Sequence, residues 1–340
     1  MYLVVKTGAL QTLMSNSMQF SVGALFIVGI VLVDGYLIVE IDEEPSNMVW
    51  IEAGSFTMGS DRGMPDEYPA HPVDVSSFWI DKFEVSNQDF KSFVAETGYV
   101  TFSETIEDSL VFKSPEDNHN MRLGPLDWWN LVERADWRHP QGPDDNIEGK
   151  LEHPVVHVTY DDALAYCNWV GKILPTEAQF EFAARGGKEG EVYTWGNEPL
   201  HHSHSVTNNW QGEFPLDNEV SDGYATTAPT GEFPANGYGL HDITGNVWEW
   251  VSDWYHPNYY ASSPSKNPVG VSMSESLDPL EPGLAKRSIR GGSFLCSDNY
   301  CAGFRVSARM PADPGTATNH TGFRCARSSN MMEIFSRRSI

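Results

Sequence analysis

Arg290-Gly-Gly-Ser-Phe-Leu-Cys-Ser-Asp-Asn-Tyr-Cys301 is the stretch that constrains the fold most, because its two cysteines lie five residues apart. On a helix, side chains at this spacing sit about 140° apart around the axis. On a strand they point to opposite faces. The thiols of Cys296 and Cys301 can therefore meet only if the chain turns. The Gly-Gly pair and Asn299 are residues that tolerate such a turn.

Two thiols that meet have few uses in proteins. They can form a disulfide, half of a zinc site, a redox pair or a two-coordinate site for a soft metal ion. A structural disulfide is the common outcome for paired cysteines in exported proteins. The cysteines alone leave these alternatives open.

The composition favours one loop-rich domain after the N-terminal segment. The chain has 340 residues, with 29 glycines and 21 prolines, and no Pro/Gly/Ser-rich linker divides the part after Met48. The formal net charge of −25 argues against nucleic-acid binding, because a phosphate backbone attracts Lys and Arg. This acidity fits either solubility in a salty medium or the attraction of cations or of a basic substrate segment.

The N-terminal segment predicts export. Residues 20–33 are apolar, which is short for a membrane span and suits a signal peptide, but the apolar character resumes to residue 39. We therefore predict that residues 1–45 are a signal peptide or a membrane anchor, with attachment through residues 20–39. Either form places the folded part in the ER lumen, the periplasm or the extracellular space, where disulfides survive.

Helix signals are clear at three places. Each begins with a Ser or Thr N-cap and ends at a glycine: Ser86 to Gly98, Thr159 to Gly171, and Thr176 to Gly186. Residues 103–150 are polar and acidic and show no sustained apolar period. We expect a long surface segment there, held to the body by Trp128, Trp129 and Trp137.

The positions of the other two cysteines suggest a structural disulfide bond. Cys167 lies on the apolar side of the second helix, and Cys325 lies in Gly-Phe-Arg-Cys, which reads as a late strand. Two inward cysteines in an oxidising compartment suggest a disulfide. It would close a loop of 158 residues, worth about 4–5 kcal/mol by loop-closure entropy.

Several motifs resemble those of one family, in family order, from about Met48 to Arg327. They are Met48-Val-Trp-Ile-Glu-Ala-Gly-Ser-Phe-Thr-Met-Gly59, Leu174-Pro-Thr-Glu-Ala178, Trp210-Gln-Gly-Glu-Phe-Pro215, Gly245-Asn-Val-Trp-Glu-Trp250, Arg290-Gly-Gly-Ser293 and Gly322-Phe-Arg-Cys325. The family is that of the formylglycine-generating enzymes, or sulfatase-modifying factors. The resemblance implies a single C-type-lectin-like α+β domain with little regular secondary structure over residues 46–330, followed by a tail at 331–340. It also implies the Cys167–Cys325 disulfide.

The resemblance further implies a copper-dependent oxidation. In the family, residues at the positions of Cys296 and Cys301 hold Cu(I). With O₂ as co-substrate, the cysteine of a Cys-x-Pro-x-Arg segment in an unfolded sulfatase becomes Cα-formylglycine. By this resemblance Ser293 joins the two cysteines in catalysis, and the substrate-binding residues are Tyr300, Trp248, Asn319 and His320. We expect a monomer.

The resemblance also implies two structural Ca²⁺ sites built from loop oxygens, the ligands that Ca²⁺ takes. The first site is formed by Asn208, Asn209, Asp222 and Tyr224. The second is formed by Asp242, Gly245, Val247 and Glu249.

The chain departs from the family pattern near the thiols. Ser297 and Asn299 stand where many members have His and Ser, and Asn319-His320 replaces a Ser-Asn pair. These changes leave both thiols in place and put proton handling and substrate contact in question.

Two other functions compete with the oxidase. One is a non-catalytic binding module on the same lectin-like fold, with Cys296–Cys301 as a structural disulfide. The other is an iron-dependent sulfoxide synthase, which normally carries a His-rich iron domain that the first 47 residues are too short to hold. His201-His202-Ser-His204 looks like a metal motif, but the residues predict a solvated loop. No Gly-x-Ser-x-Gly motif supports a hydrolase.

Overall fold

A computed structural model describes residues 2–6, 26–33, 36–42, 47–115, 127–199 and 206–328, with the backbone alone described up to residue 42. The chain divides into two units, Met1–Met48 and Val49–Ile340. In the first unit, strands β1 (Tyr2–Lys6), β2 (Phe26–Val33) and β3 (Tyr36–Asp42) form an antiparallel sheet in the order β1-β3-β2.

The predicted signal or anchor segment falls partly on these strands. Residues 26–33 and 36–39 belong to β2 and β3. In the described part of the chain, no helix has both the length and the apolar character that a membrane crossing requires. The signal or anchor stays a prediction.

The second unit combines short strands with four helices among the residues described. The strands are β4 (Met48–Ile51), β5 (Gly54–Met58), β6 (His71–Val75), β7 (Phe78–Asp81), β8 (Asp108–Phe112), β9 (Trp129–Glu133), β10 (Trp248–Trp254), β11 (Arg287–Arg290), β12 (Arg309–Ala312), β13 (Thr321–Gly322) and β14 (Ala326–Ser328). The helices are α1 (Asn87–Thr97), α2 (Phe102–Ile106), α3 (Tyr160–Trp169) and α4 (Glu177–Arg185).

Two small sheets organise this unit. The larger has the order β12-β11-β10-β13, in which β10 and β13 run parallel and the other neighbours antiparallel. The smaller has the order β14-β7-β4, and β5–β6 and β8–β9 form separate antiparallel pairs. The result confirms the predicted α+β fold with little regular structure.

The three predicted helices are confirmed, because their signals are local. Ser86, Thr159 and Thr176 cap helices α1, α3 and α4, each in a reciprocal capping box with the residue three positions on. Gly98 and Gly186 adopt left-handed conformations with φ of 69° and 58° at the C-termini of α1 and α4.

The predicted Cys167–Cys325 disulfide is present. It joins α3 to the residue before β14, with the Cα atoms 5.7 Å apart and both cysteines fully buried. It therefore ties the second predicted helix to the smaller sheet.

The segment 103–150 carries more regular structure than the sequence predicts. Helix α2 covers its start, and β8 and β9 form a hairpin-like pair on either side of residues 116–126, which lie outside the described part. Strand β8 does alternate in burial, but one of its inward residues is the polar Ser109, which hides the apolar period. Trp128 and Trp137 are buried as expected.

A buried ion network connects α4 to the strands that lead into the thiol turn. Glu177, at the start of α4, accepts hydrogen bonds from Arg290 and Arg309 at 3.1 and 2.7 Å. Burial alone would raise the pKa of Glu177, but the two guanidinium charges hold it below its usual range. Asp253 of β10 accepts the backbone N–H of Glu177 at 2.9 Å. Burial and the charge of Glu177 raise the pKa of Asp253 to about 7.

This raised pKa predicts a pH-dependent stability. The unfolded carboxyl titrates near its ordinary value of 3.8, so between pH 4 and 7 the folded protein binds a proton that the unfolded chain has lost. The Asp253 contribution to stability therefore falls as pH rises through this window, and Asp253→Asn should remove that fall. In urea unfolding, the stability of Asp253→Asn relative to wild type should rise by up to about 1.4 kcal/mol per pH unit. A difference that is constant from pH 4 to 7 would contradict the assignment.

Candidate active site and cation sites

The thiol turn (residues 290–301) begins where β11 ends. Gly291 and Gly292 adopt left-handed backbone conformations with φ of 90° and 78°. A Cβ on Gly292 would lie 2.6 Å from the backbone of Phe304, so only glycine fits there. The N–H of Cys296 donates to the carbonyl of Ser293 at 2.9 Å, and the N–H of Cys301 to the carbonyl of Ser297 at 3.0 Å.

This turn brings the two sulfur atoms together. The Sγ atoms of Cys296 and Cys301 are 2.8 Å apart, and both cysteines are free thiols. Cys296 is buried, whereas Cys301 is half-buried. Burial raises the pKa of Cys296, and the hydrogen bond from Cys296 lowers the pKa of Cys301. The pair therefore favours a thiolate at Cys301 that shares the proton of Cys296.

The donor set at the thiols is small. In the ranges that the structure describes, no three His, Cys, Asp or Glu side chains are grouped as in a preformed metal site. Zinc takes four ligands, whereas Cu(I) accepts two soft thiolates. Two paired sulfurs without a third such ligand therefore fit Cu(I) better than zinc.

Trp248 forms the inner wall behind the thiols. It is buried, and a Cβ on Gly303 would lie 2.6 Å from its ring and 2.8 Å from the sulfur of Cys296. The ring of Trp248 and the sulfur of Cys296 therefore both pack against Gly303. Trp248 was predicted to bind substrate. The structure shows that it packs beside the thiols, and its contact with substrate stays a prediction.

Tyr300 precedes Cys301 and lies on an aromatic surface formed with Phe214 and Trp128. Its side chain is 50% exposed and stacks on Phe214, with ring centroids 4.2 Å apart. It meets Trp128 edge-on at 5.4 Å. Phe214 belongs to the Trp210–Pro215 motif, and no local pattern in the sequence predicts its contact with Tyr300. Only the fold shows that this motif stacks on the thiol turn.

Asn319 and His320 are both buried. The side-chain oxygen of Asn319 accepts the backbone N–H of Phe112 at 3.1 Å, so Asn319 holds strand β8. His320 packs on Trp129 with centroids 4.8 Å apart, and its Nδ1 lies 2.7 Å from the hydroxyl of Thr318. Burial and the neighbouring His157 lower the pKa of His320 to about 3, so its ring is neutral at physiological pH.

Ser293, Ser297 and Asn299 form hydrogen bonds within the turn. Ser293 is buried, and its hydroxyl accepts the N–H of Leu295 at 3.2 Å. The hydroxyl of Ser297 donates to the side-chain oxygen of Asn299 at 2.6 Å. Ser297 and Asn299, the two departures from the family pattern that lie on this turn, therefore pair with each other.

The first predicted cation site contains an unpaired buried oxygen. Asn208 is 1% exposed and donates through Nδ2 to Thr226 and Asn246, but its Oδ1 has no hydrogen-bond partner among the described residues. The carboxylate of Asp222 accepts the backbone N–H groups of Asn209 and Tyr224 at 3.1 and 2.9 Å. A buried oxygen without a donor suits a hard cation.

The second predicted cation site is rich in buried acid. Asp242 accepts the N–H groups of Gly231 and Phe233, and Glu249 binds Arg324 through both carboxylate oxygens at 2.8 Å. Burial raises the pKa of both carboxyls, and Arg324 opposes this effect. Oxygen ligands and excess negative charge fit Ca²⁺.

Backbone hydrogen bonds join both cation segments to the thiol turn. The N–H of Gly245 donates to the carbonyl of Gly291 at 2.8 Å. The N–H of Phe294 donates to the carbonyl of Asn246 at 2.9 Å, and that of Trp210 to the carbonyl of Cys296 at 3.0 Å. These hydrogen bonds join the segments of both predicted cation sites directly to the thiol turn. His201-His202-Ser-His204 lies outside the described residues.

Comparison with known proteins identifies the family. Residues 38–329 match the model of the sulfatase-modifying factor enzyme 1-like domain. The chain is 41% identical over 290 residues to the formylglycine-generating enzyme of Mus musculus, covering 83% of this chain and 75% of that protein. It is 42% identical over 292 residues to the enzyme of Streptomyces coelicolor, covering 83% and 90%.

Sequence identity does not separate active from inactive members of this family. The chain is equally similar, at 42% over 291 residues, to the inactive C-alpha-formylglycine-generating enzyme 2 of Mus musculus, covering 83% of this chain and 86% of that protein. The solved structure of PvdO from Pseudomonas aeruginosa superposes with a TM-score of 0.59 at 27% identity, covering 83% of this chain and 94% of PvdO. The fold and the family match together show that the chain belongs to the formylglycine-generating enzyme (sulfatase-modifying factor) family.

Proposed function

We propose that this protein oxidises the cysteine of a Cys-x-Pro-x-Arg segment in an unfolded sulfatase to Cα-formylglycine. One observation carries the proposal: two free thiols lie 2.8 Å apart on the thiol turn, one of them half-buried. Active and inactive relatives are equally similar to this chain, so overall identity cannot choose between them. The chemistry of the site has to decide, and a free thiol pair supports activity.

The balanced reaction needs oxygen and a reductant. The substrate CH₂SH group, O₂ and two molecules of an external thiol give the CHO group, H₂S, one disulfide of the external thiol and water. The substrate cysteine supplies two electrons and the external thiols supply two, which together reduce O₂. The two sulfur atoms of the turn are not consumed.

Cys296 and Cys301 would hold Cu(I), with Ser293 in the same turn. When bound, Cu(I) would supply the one-electron chemistry that lets O₂ oxidise a thiol. The residues around the two thiols would shape the site that binds this ion. Trp248 and Gly303 close the inner side against Cys296, which keeps water away from that sulfur. Cys301 is the thiol that a substrate could approach, because it is half-buried and has the lowered pKa.

The aromatic surface around Tyr300 would receive the substrate chain. Its stacked rings offer apolar contact beside the thiols at low conformational cost, because Phe214 already holds Tyr300. His320 is neutral and would offer hydrogen bonding rather than charge. The net charge of −25 would favour approach of the substrate arginine.

Two bound Ca²⁺ ions would order the loops that support the turn. The unpaired oxygen of Asn208 and the buried acids Asp242 and Glu249 support this part of the proposal. Ca²⁺ would act through structure, since these segments contact the thiol turn through backbone hydrogen bonds and through the packing of Trp248 with Cys296.

We also propose that the protein is an exported monomer, anchored or released according to the fate of its N-terminal segment. The Cys167–Cys325 disulfide supports an oxidising compartment.

The proposal predicts modification of an unfolded sulfatase. The reduced, Cu(I)-loaded protein should be incubated with O₂, a thiol reductant and a denatured sulfatase carrying the segment, and aldehyde measured with a hydrazide probe. We expect labelling of the unfolded sulfatase, and none when its segment cysteine is replaced by serine. A chain that binds the sulfatase without producing aldehyde would instead be a binding module, in which Cys296→Ser leaves binding intact.

A further inference from the structure

The backbone of Leu110 in strand β8 points away from strand β9. Its N–H donates to the carbonyl of Ala317 at 3.3 Å, and its carbonyl accepts the N–H of Asn319 at 3.1 Å. Leu110 lies opposite Leu131 in the register of the β8–β9 pair. In an antiparallel pair, opposite residues alternate between those that exchange hydrogen bonds and those that do not. Leu110 and Leu131 therefore form a pair without hydrogen bonds.

Three residues of β9 consequently direct their backbone N–H and C=O groups to the outer edge of the strand: Trp129, Leu131 and Glu133. The flanking hydrogen bonds agree with this alternation, because Lys113 donates to the carbonyl of Trp128 and Arg134 donates to that of Glu107. Strand β9 pairs with β8 alone, and the outward groups have no hydrogen-bond partner among the described residues. The outer edge of β9 is therefore free.

This edge is exposed to solvent and lacks the usual protection. Leu131 is 65% exposed, and Asn130 and Glu133 are exposed as well. The strand contains no proline, lysine or bulge, which are features that commonly keep an edge from pairing with another chain, and its one charged residue stands at its end. A free edge of this kind can accept an extended segment as an added strand.

One end of the edge lies beside the aromatic surface next to the thiols. Trp128 immediately precedes β9, and its ring meets that of Tyr300 edge-on with centroids 5.4 Å apart. Tyr300 is the sequence neighbour of Cys301. A chain that lies along β9 therefore reaches the aromatic surface at the Trp129 end of the strand.

The charge at the other end of the edge favours a basic occupant. Asp108 lies opposite Glu133 in the register, and neither carboxylate has an ion-pair partner within the described part of the chain. Like charges directly opposite each other in a sheet repel. A second copy of this chain, with its formal net charge of −25, would add to that repulsion. An unfolded segment that carries a basic residue would reduce it.

We propose that the free edge of β9 binds the unfolded substrate chain as an added β-strand. The identity of the occupant rests on the proposed function, whereas the mode of binding rests on the edge itself. Hydrogen bonds from Trp129, Leu131 and Glu133 to the substrate backbone would supply affinity largely independent of the substrate side chains. A folded sulfatase could not bind in this way, because its backbone groups are already paired.

The proline of the Cys-x-Pro-x-Arg segment determines which substrate residues can pair. Proline has no N–H, so in an added strand its backbone has to face away from β9. Backbone and side-chain directions both alternate along a strand, so the cysteine and the arginine face away as well, and all three side chains lie on one face. The two x residues then direct their N–H and C=O groups to β9. They stand two positions apart, as do the free groups of Trp129, Leu131 and Glu133.

The test measures the binding of fluorescent Cys-x-Pro-x-Arg peptides to the full chain, kept free of copper so that no oxidation occurs. Peptides N-methylated at either x residue are compared with a peptide N-methylated at the arginine, which is the matched control. Methylation at an x residue removes one hydrogen bond and should raise Kd by about 2- to 12-fold, whereas methylation at the arginine should change Kd by less than about 2-fold. Amide hydrogen exchange at Leu131 should slow when peptide is bound.

A pair of protein variants tests the same edge from the other side. Leu131→Pro removes an outward N–H without removing a bond of the β8–β9 ladder, and Leu131→Ala shortens the same side chain but keeps the N–H. We expect Leu131→Pro to bind the peptide more weakly than Leu131→Ala does. The Tm of each variant reports whether the hairpin is intact, and the methylated peptides give the answer with wild type if Leu131→Pro does not fold.

Four results would overturn the inference. The first is no peptide binding, and the second is an equal effect of methylation at the x residues and at the arginine. The third is slow exchange at Leu131 in the free protein at every concentration, which means that the chain itself covers the edge. The fourth is exchange that slows as protein concentration rises, which means that a second copy pairs there. Aldehyde formation is measured separately, so a chain that binds peptide through β9 without oxidising it would refute the proposed function and leave this inference standing.

Discussion

Cys301→Ser should abolish Cu(I) binding while leaving Tm almost unchanged. Cys301 is half-buried and its sulfur contacts that of Cys296, so a hydroxyl in its place disturbs little packing. A hydroxyl is a hard, neutral ligand and does not replace a thiolate for Cu(I). Retention of copper would be measured by competition with a Cu(I) chelator, followed by metal analysis of the protein.

The control for this prediction lies on the same turn. Asp298→Asn changes an exposed residue between the two cysteines and leaves both thiols in place, so it should bind Cu(I) as wild type does. Full copper binding by Cys301→Ser would show that the ion is held elsewhere. A fall in Tm of both variants would instead show that the turn itself had been damaged.

Glu177→Gln should destabilise the fold by about 3–5 kcal/mol, the cost of breaking a buried ion pair from one side. Glu177 is fully buried and accepts Nε and Nη2 of Arg309 at 2.7 and 2.8 Å as well as Nη1 of Arg290 at 3.1 Å. Glu181 still pairs with Arg290 after the change, at 2.6 Å, but Arg309 loses its carboxylate. Glutamine keeps the shape and removes the charge, so the loss measures an uncompensated guanidinium in the core.

Urea unfolding at neutral pH would measure this effect. Glu148→Gln, an exposed acid, is the control and should stay within about 0.5 kcal/mol of wild type, as surface changes usually do. A loss below about 1 kcal/mol for Glu177→Gln would show that the network relaxes or admits water, and that Arg309 does not depend on Glu177.

Features with local causes could be predicted from the sequence. Capping boxes at Ser86, Thr159 and Thr176 depend on residues three positions apart, and all three helices form. The spacing of Cys296 and Cys301 requires a turn if the two thiols are to meet, and in the structure they meet on such a turn. These are statements about short segments, for which periodicity and turn chemistry suffice.

Features with long-range causes could not be predicted in this way. The stacking of Phe214 on Tyr300 joins residues more than eighty positions apart, and no local pattern marks it. The role of Asn319 in holding Phe112 depends on how β8 lies beside residue 319. The free edge of β9 appears only once the register and the backbone partners of β8 are known. Periodicity also failed for β8, because Ser109 faces inward.

In our proposal, the paired thiols of Cys296 and Cys301 make this chain a catalyst. The most direct test is mass spectrometry of a Cys-x-Pro-x-Arg peptide after incubation with the reduced, Cu(I)-loaded protein, O₂ and a thiol reductant, with wild type and Cys301→Ser run side by side. We predict that wild type converts CH₂SH to CHO, with the corresponding loss of mass, and that Cys301→Ser leaves the peptide unchanged. An unchanged peptide with copper-loaded wild type, or equal conversion by both proteins, would contradict the account.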